Sequence, residues 1–301
     1  MAVPFALSSM ARAPAPRASP GYEERWFDQP KDHFHFNNDA SATWRHRYLF
    51  NDTFWGKQPA LDNGCKGPIL FYTGNEGPID AFWGSNGFMT EVLAPALGAL
   101  LVFGEERYYG LSQPTGGRSY EYLSTEQVLA DYANLLTSLK QQLGATNCPV
   151  VAFGGSYGGT LTTLFRLKYP HIVVGGLAAS APLGYYAPGG WAARGVTETT
   201  WFETVKRVYS EAGPNCYEHL VAAVQEVNST MRMAAHAPAV AKQFGLCGVP
   251  TDVDAFVYWI TEALESIPQA PKRIEPQSVA AWGLRGREGE SIVSVVWVTP
   301  R

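Results

Sequence analysis

Two hydrophobic patterns alternate along the chain. Continuous apolar runs of four to six residues are typical of strands buried on both faces of a sheet, and they occur at 69–72, 99–103, 150–153 and 172–177. Apolar residues at helical spacing lie between these runs at 85–97, 124–143 and 161–167. Two aromatic-rich stretches nearer the start, 26–36 and 44–50, predict further strands. Strands that alternate with helices predict an α/β protein whose sheet is mainly parallel, with right-handed crossovers.

The clearest helix is predicted to begin at Ser124. Ser124 and Gln127 have the spacing of a capping box, and Gly144 is expected to end the helix.

The pattern changes at Gly184. The stretch 185–195 is rich in glycine, proline and aromatic residues and is typical of a linker. Three helices are predicted after it, at 200–211, 216–233 and 252–266, and Thr251 and Asp254 have capping-box spacing at the last of them. We therefore expect a helical insertion that adds no strand to the sheet.

A candidate nucleophile lies between the strand at 150–153 and the next helix. The residues from Gly154 to Gly159 contain G-x-S-x-G, the pattern of a nucleophile elbow, with Ser156 at the turn. A serine hydroxyl must stand clear of the backbone for a base to reach it, and small neighbours permit the tight turn. The Tyr157 amide would then be one oxyanion donor. The alternative is a glycine-rich turn that happens to contain serine.

A second oxyanion donor is expected after the strand at 69–72. The polar, glycine-flanked turn there offers a backbone N–H near Asn75 or Glu76. An ordinary strand-end turn explains the same residues equally well.

Composition narrows the function classes. The 301-residue chain has a net charge of -4 and an isoelectric point near 5.9, which argues against nucleic-acid binding. No apolar run approaches the roughly 18 residues of a membrane span. Residues 1–21 are expected to be a disordered leader without a convincing signal peptide.

His33, His35 and His46 lack metal-ligand spacing, so neither a metal nor another cofactor is predicted. Asn51 and Asn228 fit the glycosylation pattern.

Several motifs together resemble one family, the serine peptidases that include lysosomal Pro-Xaa carboxypeptidase and dipeptidyl peptidase II. The resemblance spans roughly residues 22–183 and continues more weakly to about 268. The motifs that support it are Asp32-His33-Phe34, the residues from Gly67 to Gly77, Arg107-Tyr108-Tyr109-Gly110, the residues from Leu123 to Gln127, Gly154 to Gly159, Lys168-Tyr169-Pro170-His171 and Leu177 to Pro182.

The resemblance implies an α/β-hydrolase with a helical cap inserted after the sixth strand. It implies cleavage of peptide substrates next to proline, in acidic vesicles or outside the cell, and allows a homodimer in the complete protein. Ser156 matches the family nucleophile. The sequence does not choose between release of residues from the amino and from the carboxyl end. Glu106 stands where the family usually has histidine, which leaves the role of this position open.

The end of the chain departs from the family pattern. The triad acid and histidine that follow the cap in this family have no counterpart here, and the tail at 275–301 resembles nothing in it. We therefore expect a truncated family member. It would consist of part of the hydrolase domain (22–183), a partial cap (184–274) and an unrelated tail, without the last strands of the sheet. Two functions remain open: a serine exopeptidase that forms an acyl-enzyme on Ser156, and a catalytically silent chain that acts by binding. An unrelated esterase or lipase is a more distant alternative.

The four cysteines suggest two disulfides. We expect Cys216 to pair with Cys247 across two cap helices. Cys65 and Cys148 each precede a strand, and these strands are neighbours in the α/β-hydrolase order, so the two cysteines would meet at one end of the sheet. Free buried thiols are the alternative for these cysteines.

Overall fold

The computed structural model describes residues 21–34, 42–115, 119–186, 188–190, 192–197, 199–269 and 295–298. The predicted leader therefore lies outside the described residues, apart from Gly21, and so does His35. The chain divides into two compact units, Met1–Tyr186 with Val293–Arg301, and Ala187–Ile292.

The first unit is built on a seven-stranded sheet in the order β1-β2-β4-β3-β5-β6-β7. Its strands β3, β4, β5 and β6 are parallel, whereas β2 pairs antiparallel with both β1 and β4. The bounds are Glu23–Pro30 (β1), Thr43–Asn51 (β2), Ile69–Thr73 (β3), Leu100–Gly104 (β4), Val150–Gly155 (β5), Val173–Ala179 (β6) and Val295–Val298 (β7).

Helices connect the parallel strands. The crossover from β3 to β4 contains α1 (Ile79–Ser85), a π-helical turn (Phe88–Leu93) and α2 (Ala94–Leu97), where a single helix is predicted at 85–97. The next crossovers are α3 (Thr125–Gln142) and α4 (Tyr157–Lys168). The side chain of Ser124 accepts a hydrogen bond from the Gln127 amide, which confirms the predicted start of the helix. The Gln127 side chain bonds to Asp32 and to the His33 amide and not to the Ser124 amide, so the second half of the predicted capping box is not formed.

The core of this unit lies on both faces of the sheet. Every residue of β3 and of β4 is buried, as the continuous apolar runs predict. On one face Phe71 and Val102 pack with Tyr132 of α3 and Phe165 of α4. On the other face Leu70 and Phe103 pack with the β3–β4 crossover. Sheet and helices therefore hold the ends of β3, β4 and β5 in fixed positions.

The second unit is helical. It contains α5 (Thr200–Ala212), α6 (Cys216–Met231), α7 (Ala237–Gln243) and α8 (Val253–Ser266). Its core forms where Met231 packs with Val240, Phe256 and Ile260. Its short 3₁₀ turns lie at Ala192–Arg194 and Ile267–Gln269, and a further one, Leu183–Tyr186, belongs to the first unit. Among the described residues, none of the helices combines the length and apolar character needed to cross a lipid bilayer.

One local prediction in this unit is wrong, and one helix was not predicted. The cap of α8 is Asp252, whose carboxylate accepts the Ala255 amide, rather than Thr251 with Asp254. Helix α7 was not predicted, because its seven residues are too few to show a helical period.

The tail also differs from its prediction. The sequence predicts a tail unrelated to the family and no strand within it, whereas Val295–Val298 forms β7, which pairs antiparallel with β6. The segment consists of β-branched and aromatic residues, which favour strands. It pairs with the edge of β6 that β5 leaves free.

The cysteines follow one of the two predicted pairings. Cys65 and Cys148 form a disulfide, with their Cα atoms 5.0 Å apart. Cys216 and Cys247 are free, so that predicted bridge is wrong. Leu246 packs on the cluster that contacts α6 at Val224 and Met231, whereas Cys216 begins α6. With a rise of about 1.5 Å per residue, Cys216 lies roughly 12 Å along the helix from Val224. A disulfide needs Cα atoms within about 7 Å.

We predict that the Cys65–Cys148 bridge contributes substantially to stability. It closes a loop with a sequence separation of 83, for which the chain-entropy model gives about 4.5 kcal/mol. The double variant Cys65→Ser/Cys148→Ser should lose free energy of unfolding on this scale in urea denaturation. The matched variant Cys216→Ser/Cys247→Ser should leave the midpoint unchanged. Four reactive thiols in unreduced, denatured protein would contradict the bridge.

Candidate active site

Ser156 occupies a strained position between β5 and α4. Its φ is 54° and its ψ is -125°, a combination that L-residues rarely adopt. The Ser156 amide donates to the carbonyl of Ala179 at the end of β6, at 2.9 Å. The residue is exposed, although β5 before it and α4 behind it are largely buried. The turn therefore presents the serine to solvent on a rigid support.

The glycines around Ser156 are required by close backbone contacts. A Cβ atom on Gly154 would lie 2.1 Å from the Gly158 carbonyl oxygen. A Cβ atom on Gly158 would lie 2.8 Å from the Thr73 carbonyl oxygen and 2.9 Å from Oδ1 of Asn75. Real Cβ contacts are longer than this, so strand and helix approach this closely only with glycine at both positions.

Thr73 links the end of β3 to the same turn. Its Oγ1 lies 2.8 Å from the Gly158 carbonyl oxygen, 2.8 Å from Oγ1 of Thr162 and 3.0 Å from the Phe153 carbonyl oxygen. Thr73 is fully buried, so these contacts are shielded from water. They fix the end of β3 against both β5 and α4.

The predicted oxyanion donors lie at this junction. Tyr157 is the first residue of α4, and the first amides of a helix have no intrahelical partner. Asn75 is buried beside Gly158, and its side-chain amide donates to Oε2 of Glu76 at 2.8 Å. The Tyr132 hydroxyl donates to the Gly74 carbonyl at 2.8 Å and fixes the turn between β3 and Asn75. This geometry supports the oxyanion assignments, which stay predictions.

Glu106 is an unusual neighbour of this junction. It follows the end of β4, is only 1% exposed, and its Oε2 has no hydrogen-bond partner. Burial raises the pKa of Glu106 well above its usual value, and the charges of Glu76 and Asp131 raise it further. Burial therefore favours the protonated, neutral form of this carboxyl group.

Glu106 influences the tyrosines around it. Burial raises the pKa of Tyr109, Tyr132 and Tyr157, and after burial the Glu106 charge is the largest cause in each case. These side chains therefore lie within electrostatic reach of one carboxyl group, close to Ser156.

The histidines of the first unit have partners of their own. His33 Nε2 lies 2.7 Å from Oδ1 of Asp131, which is paired with the buried Arg107. The His46 ring lies 2.7 Å from the Glu105 carbonyl oxygen, and the His171 ring packs 6.0 Å from that of Tyr169. In the part of the chain that the structure describes, none of these contacts includes Ser156. Nor does that part contain a group of three or more His, Cys, Asp or Glu residues placed to bind a metal ion.

The two predicted glycosylation sites differ in accessibility. Asn51 is 7% exposed, its amide donates to the Gly21 carbonyl, and its Oδ1 accepts the Thr53 amide. A bulky glycan needs a surface position, so Asn51 is a poor acceptor in the folded protein. Asn228 is half-buried on α6, where its Oδ1 accepts from Arg232, and stays a prediction.

The site contains one cluster that sequence patterns did not reveal. Arg107 pairs with Asp131 through two bonds of 2.7 Å, and its Nη1 donates to the carbonyls of Lys31 and Tyr122. This buried fork ties the chain after β1 to α3. The only signal in the sequence was the charged, aromatic segment after β4, which fits either an active-site wall or a paired rim cluster, with the rim cluster favoured. Arg107 is paired but fully buried, so it does not lie at a rim.

The fold and the site together define the class of protein. The strand order β1-β2-β4-β3-β5-β6, with an antiparallel β2 and an exposed, strained serine between β5 and α4, is that of an α/β-hydrolase with a nucleophile elbow.

Comparison with known families then identifies the family. The model of the serine carboxypeptidase S28 family matches residues 29–265, and the chain belongs to this family.

Relatives include human lysosomal Pro-X carboxypeptidase, 38% identical over 90% of this chain and 54% of the relative. Prolyl carboxy peptidase like protein 5 of Caenorhabditis elegans is 43% identical over 64% of this chain and 37% of the relative. Mouse thymus-specific serine protease is 33% identical over 75% of this chain and 42% of the relative. The chain thus spans about half the length of the curated relatives it matches.

Solved structures with similarity to the chain are more distant. A probable hydrolytic enzyme of Pseudomonas aeruginosa has 19% identity and a TM-score of 0.36 over 72% of this chain and 54% of its own. A soluble variant of monoglyceride lipase from Saccharomyces cerevisiae has 18% identity and a TM-score of 0.35 over 55% of this chain and 46% of its own.

We predict that Gly154→Ala disrupts the elbow. The new methyl group would lie 2.1 Å from a backbone oxygen that cannot move away without shifting α4. We expect a loss of about 1–3 kcal/mol in the free energy of unfolding, measured in urea. Gly175→Ala in β6 is the matched control, because nothing lies within 4 Å of its new atom. Equal midpoints for the two variants would contradict the close contact.

We predict that Glu106 makes the protein more stable in acid. Its pKa in the folded protein is raised above the unfolded value of about 4.3, so its contribution is complete below pH ~4. That contribution is lost as the pH rises through the folded pKa. Glu106→Gln keeps the neutral shape, so between pH 4 and pH 8 it should gain stability over wild type.

The gain of Glu106→Gln in free energy of unfolding over wild type should not exceed about 1.4 kcal/mol per pH unit. Urea midpoints at each pH provide the measurement. Glu121→Gln, at an exposed position, is the control. A difference between Glu106→Gln and wild type that stays constant with pH would contradict the prediction.

Proposed function

We propose that the protein is a serine-type exopeptidase that cleaves peptides next to proline and forms an acyl-enzyme on Ser156. The observation on which this depends is the exposed, strained serine at the elbow. Membership in the serine carboxypeptidase S28 family supports peptides as substrates, and the names of the relatives support cleavage at proline.

The geometry supports a division of roles at this site. Ser156 Oγ would attack the scissile carbonyl, and the amides of Tyr157 and of Asn75 or Glu76 would stabilise the resulting oxyanion. Preorganised donors of this kind require a fixed backbone, which the contacts of Thr73 and Tyr132 supply.

A lysosomal or secreted location is part of the proposal. The relatives named lysosomal Pro-X carboxypeptidase support it. The Cys65–Cys148 disulfide is consistent with it, because such bridges persist in oxidising compartments.

We predict that residues 1–301 on their own hydrolyse peptides slowly. A serine hydroxyl needs a base within about 3 Å, and the described histidines of the first unit are bonded or packed elsewhere. In a well-studied serine protease, loss of the triad histidine costs about a millionfold in turnover.

The assay uses Ala-Pro and Lys-Pro amides and a peptide ending in Pro-Phe, at pH 5 and pH 7. We expect less than a hundredth of the turnover of a family member of full length. Turnover above this level that Ser156→Ala abolishes would show that a histidine of this chain acts as base.

A fluorophosphonate probe tests the nucleophile itself. The probe is applied to a form of the protein that hydrolyses peptides. Labelling should be lost in Ser156→Ala, and equal labelling of both proteins would reject Ser156.

A further inference from the structure

In the part of the chain that the structure describes, two carboxyl groups near the elbow have no positive partner. We call Glu76 and Glu106 the strand-end carboxyl pair. Among the described residues, neither forms an ion pair, and Oε2 of Glu106 has no hydrogen-bond partner at all. The nearby arginines are bonded elsewhere, since Arg107 pairs with Asp131 and Arg47 with Asp80 and Glu105.

Such an arrangement is costly without a ligand. Burying a carboxyl group whose oxygen lacks a partner is unfavourable, and a second acid beside it adds repulsion. Glu105, the immediate neighbour of Glu106, shows how this chain satisfies a buried acid that stabilises the fold. Its two oxygens accept from Arg47, from the Ile79 amide and from the Leu111 amide. Among the residues that the structure describes, Glu106 has no comparable set of donors, so its carboxyl group is available to a ligand.

Two tyrosines lie within electrostatic reach of the pair. Burial is the largest cause that raises the pKa of Tyr109. The charges of Glu106, Glu76 and Tyr120 raise this pKa further, in that order, so all three lie within electrostatic reach of Tyr109. Tyr120 is 66% exposed and Tyr109 is half-buried, so the group opens to solvent. Carboxylates combined with aromatic faces bind organic cations through charge and cation–π attraction.

The topology places the pair at a defined distance from Ser156. Glu106 follows β4, Glu76 follows β3 and Ser156 follows β5, and β3 lies between the other two strands. Neighbouring strands are about 4.8 Å apart, so the ends of β4 and β5 are separated by roughly 10 Å. Two extended residues span about 7 Å. A dipeptide whose second carbonyl reaches Ser156 therefore extends its amino end toward the pair.

We propose that Glu76 and Glu106 bind the free α-ammonium group of the substrate, so that the enzyme removes dipeptides from the amino end of peptides. This inference rests on the proposed function for the role of Ser156. The ammonium group supplies the missing positive charge, whereas the terminal carboxylate of a carboxypeptidase substrate would be repelled. Glu76 is partly exposed and meets the ligand first. Glu106 releases its proton when the cation arrives and then pairs with it.

Calorimetry on the whole 301-residue chain tests this at pH 5.5, with the dipeptide Ala-Pro as probe. N-acetyl-Ala-Pro lacks the positive charge, and we expect it to bind at least tenfold more weakly. Glu76→Gln should reduce this preference to less than threefold, and Glu106→Gln should reduce it partially. Titrations in two buffers of different ionisation enthalpy should show proton release for wild type and none for Glu106→Gln.

The controls separate this proposal from the proposed catalytic role. Ser156→Ala and Glu121→Gln should bind Ala-Pro as wild type does, whatever the outcome of fluorophosphonate labelling. Circular dichroism verifies that each variant is folded. Equal affinity for the two dipeptides, or no binding of Ala-Pro to folded wild type, would overturn the proposal. N-acetyl-Lys-Pro that binds as tightly as Ala-Pro would assign the site to a cationic side chain and overturn the α-ammonium assignment.

Discussion

The close backbone approach of β5 and α4 at Ser156 is the constraint on which the rest of the first unit depends. The Gly154 and Gly158 backbones are in contact, and a buried hydroxyl on Thr73 attaches them to the next strand. The strained serine persists because the sheet and two helices determine its position from several directions. Catalytic geometry and stability are therefore not separable here, since the contacts that position the nucleophile are also core contacts.

Local signals predicted much of this structure. Continuous apolar runs located β3 to β6, and a four-residue capping pattern located the start of α3, because burial and capping are short-range properties. Features that depend on distant partners were missed or wrong. Formation of β7 depends on a free edge of the sheet, which the segment itself does not reveal. A bridge between Cys216 and Cys247 depends on whether these two distant positions meet in the folded helical unit, and they do not. The fork of Arg107 and Asp131 joins residues 24 positions apart, and no periodicity shows such a pair.

The two adjacent glutamates after β4 show why the site was harder to predict than the fold. Glu105 and Glu106 are identical in type, and both are buried. Glu105 has Arg47 and two backbone amides as partners, whereas one carboxyl oxygen of Glu106 has no hydrogen-bond partner among the described residues. Only the three-dimensional arrangement separates an acid that stabilises the fold from an acid that is available for another purpose.

The Cys65–Cys148 disulfide has a consequence for proteolytic damage. It encloses β3, β4 and α3 in a covalent loop, together with the connection from β4 to α3, in which Leu111 and Tyr120 are exposed. Exposed connecting segments of this kind are where proteases cut first. A single cut there would leave both pieces joined through the sulfur atoms, so the packed sheet could survive the break. The nicked chain would separate only after reduction and unfolding.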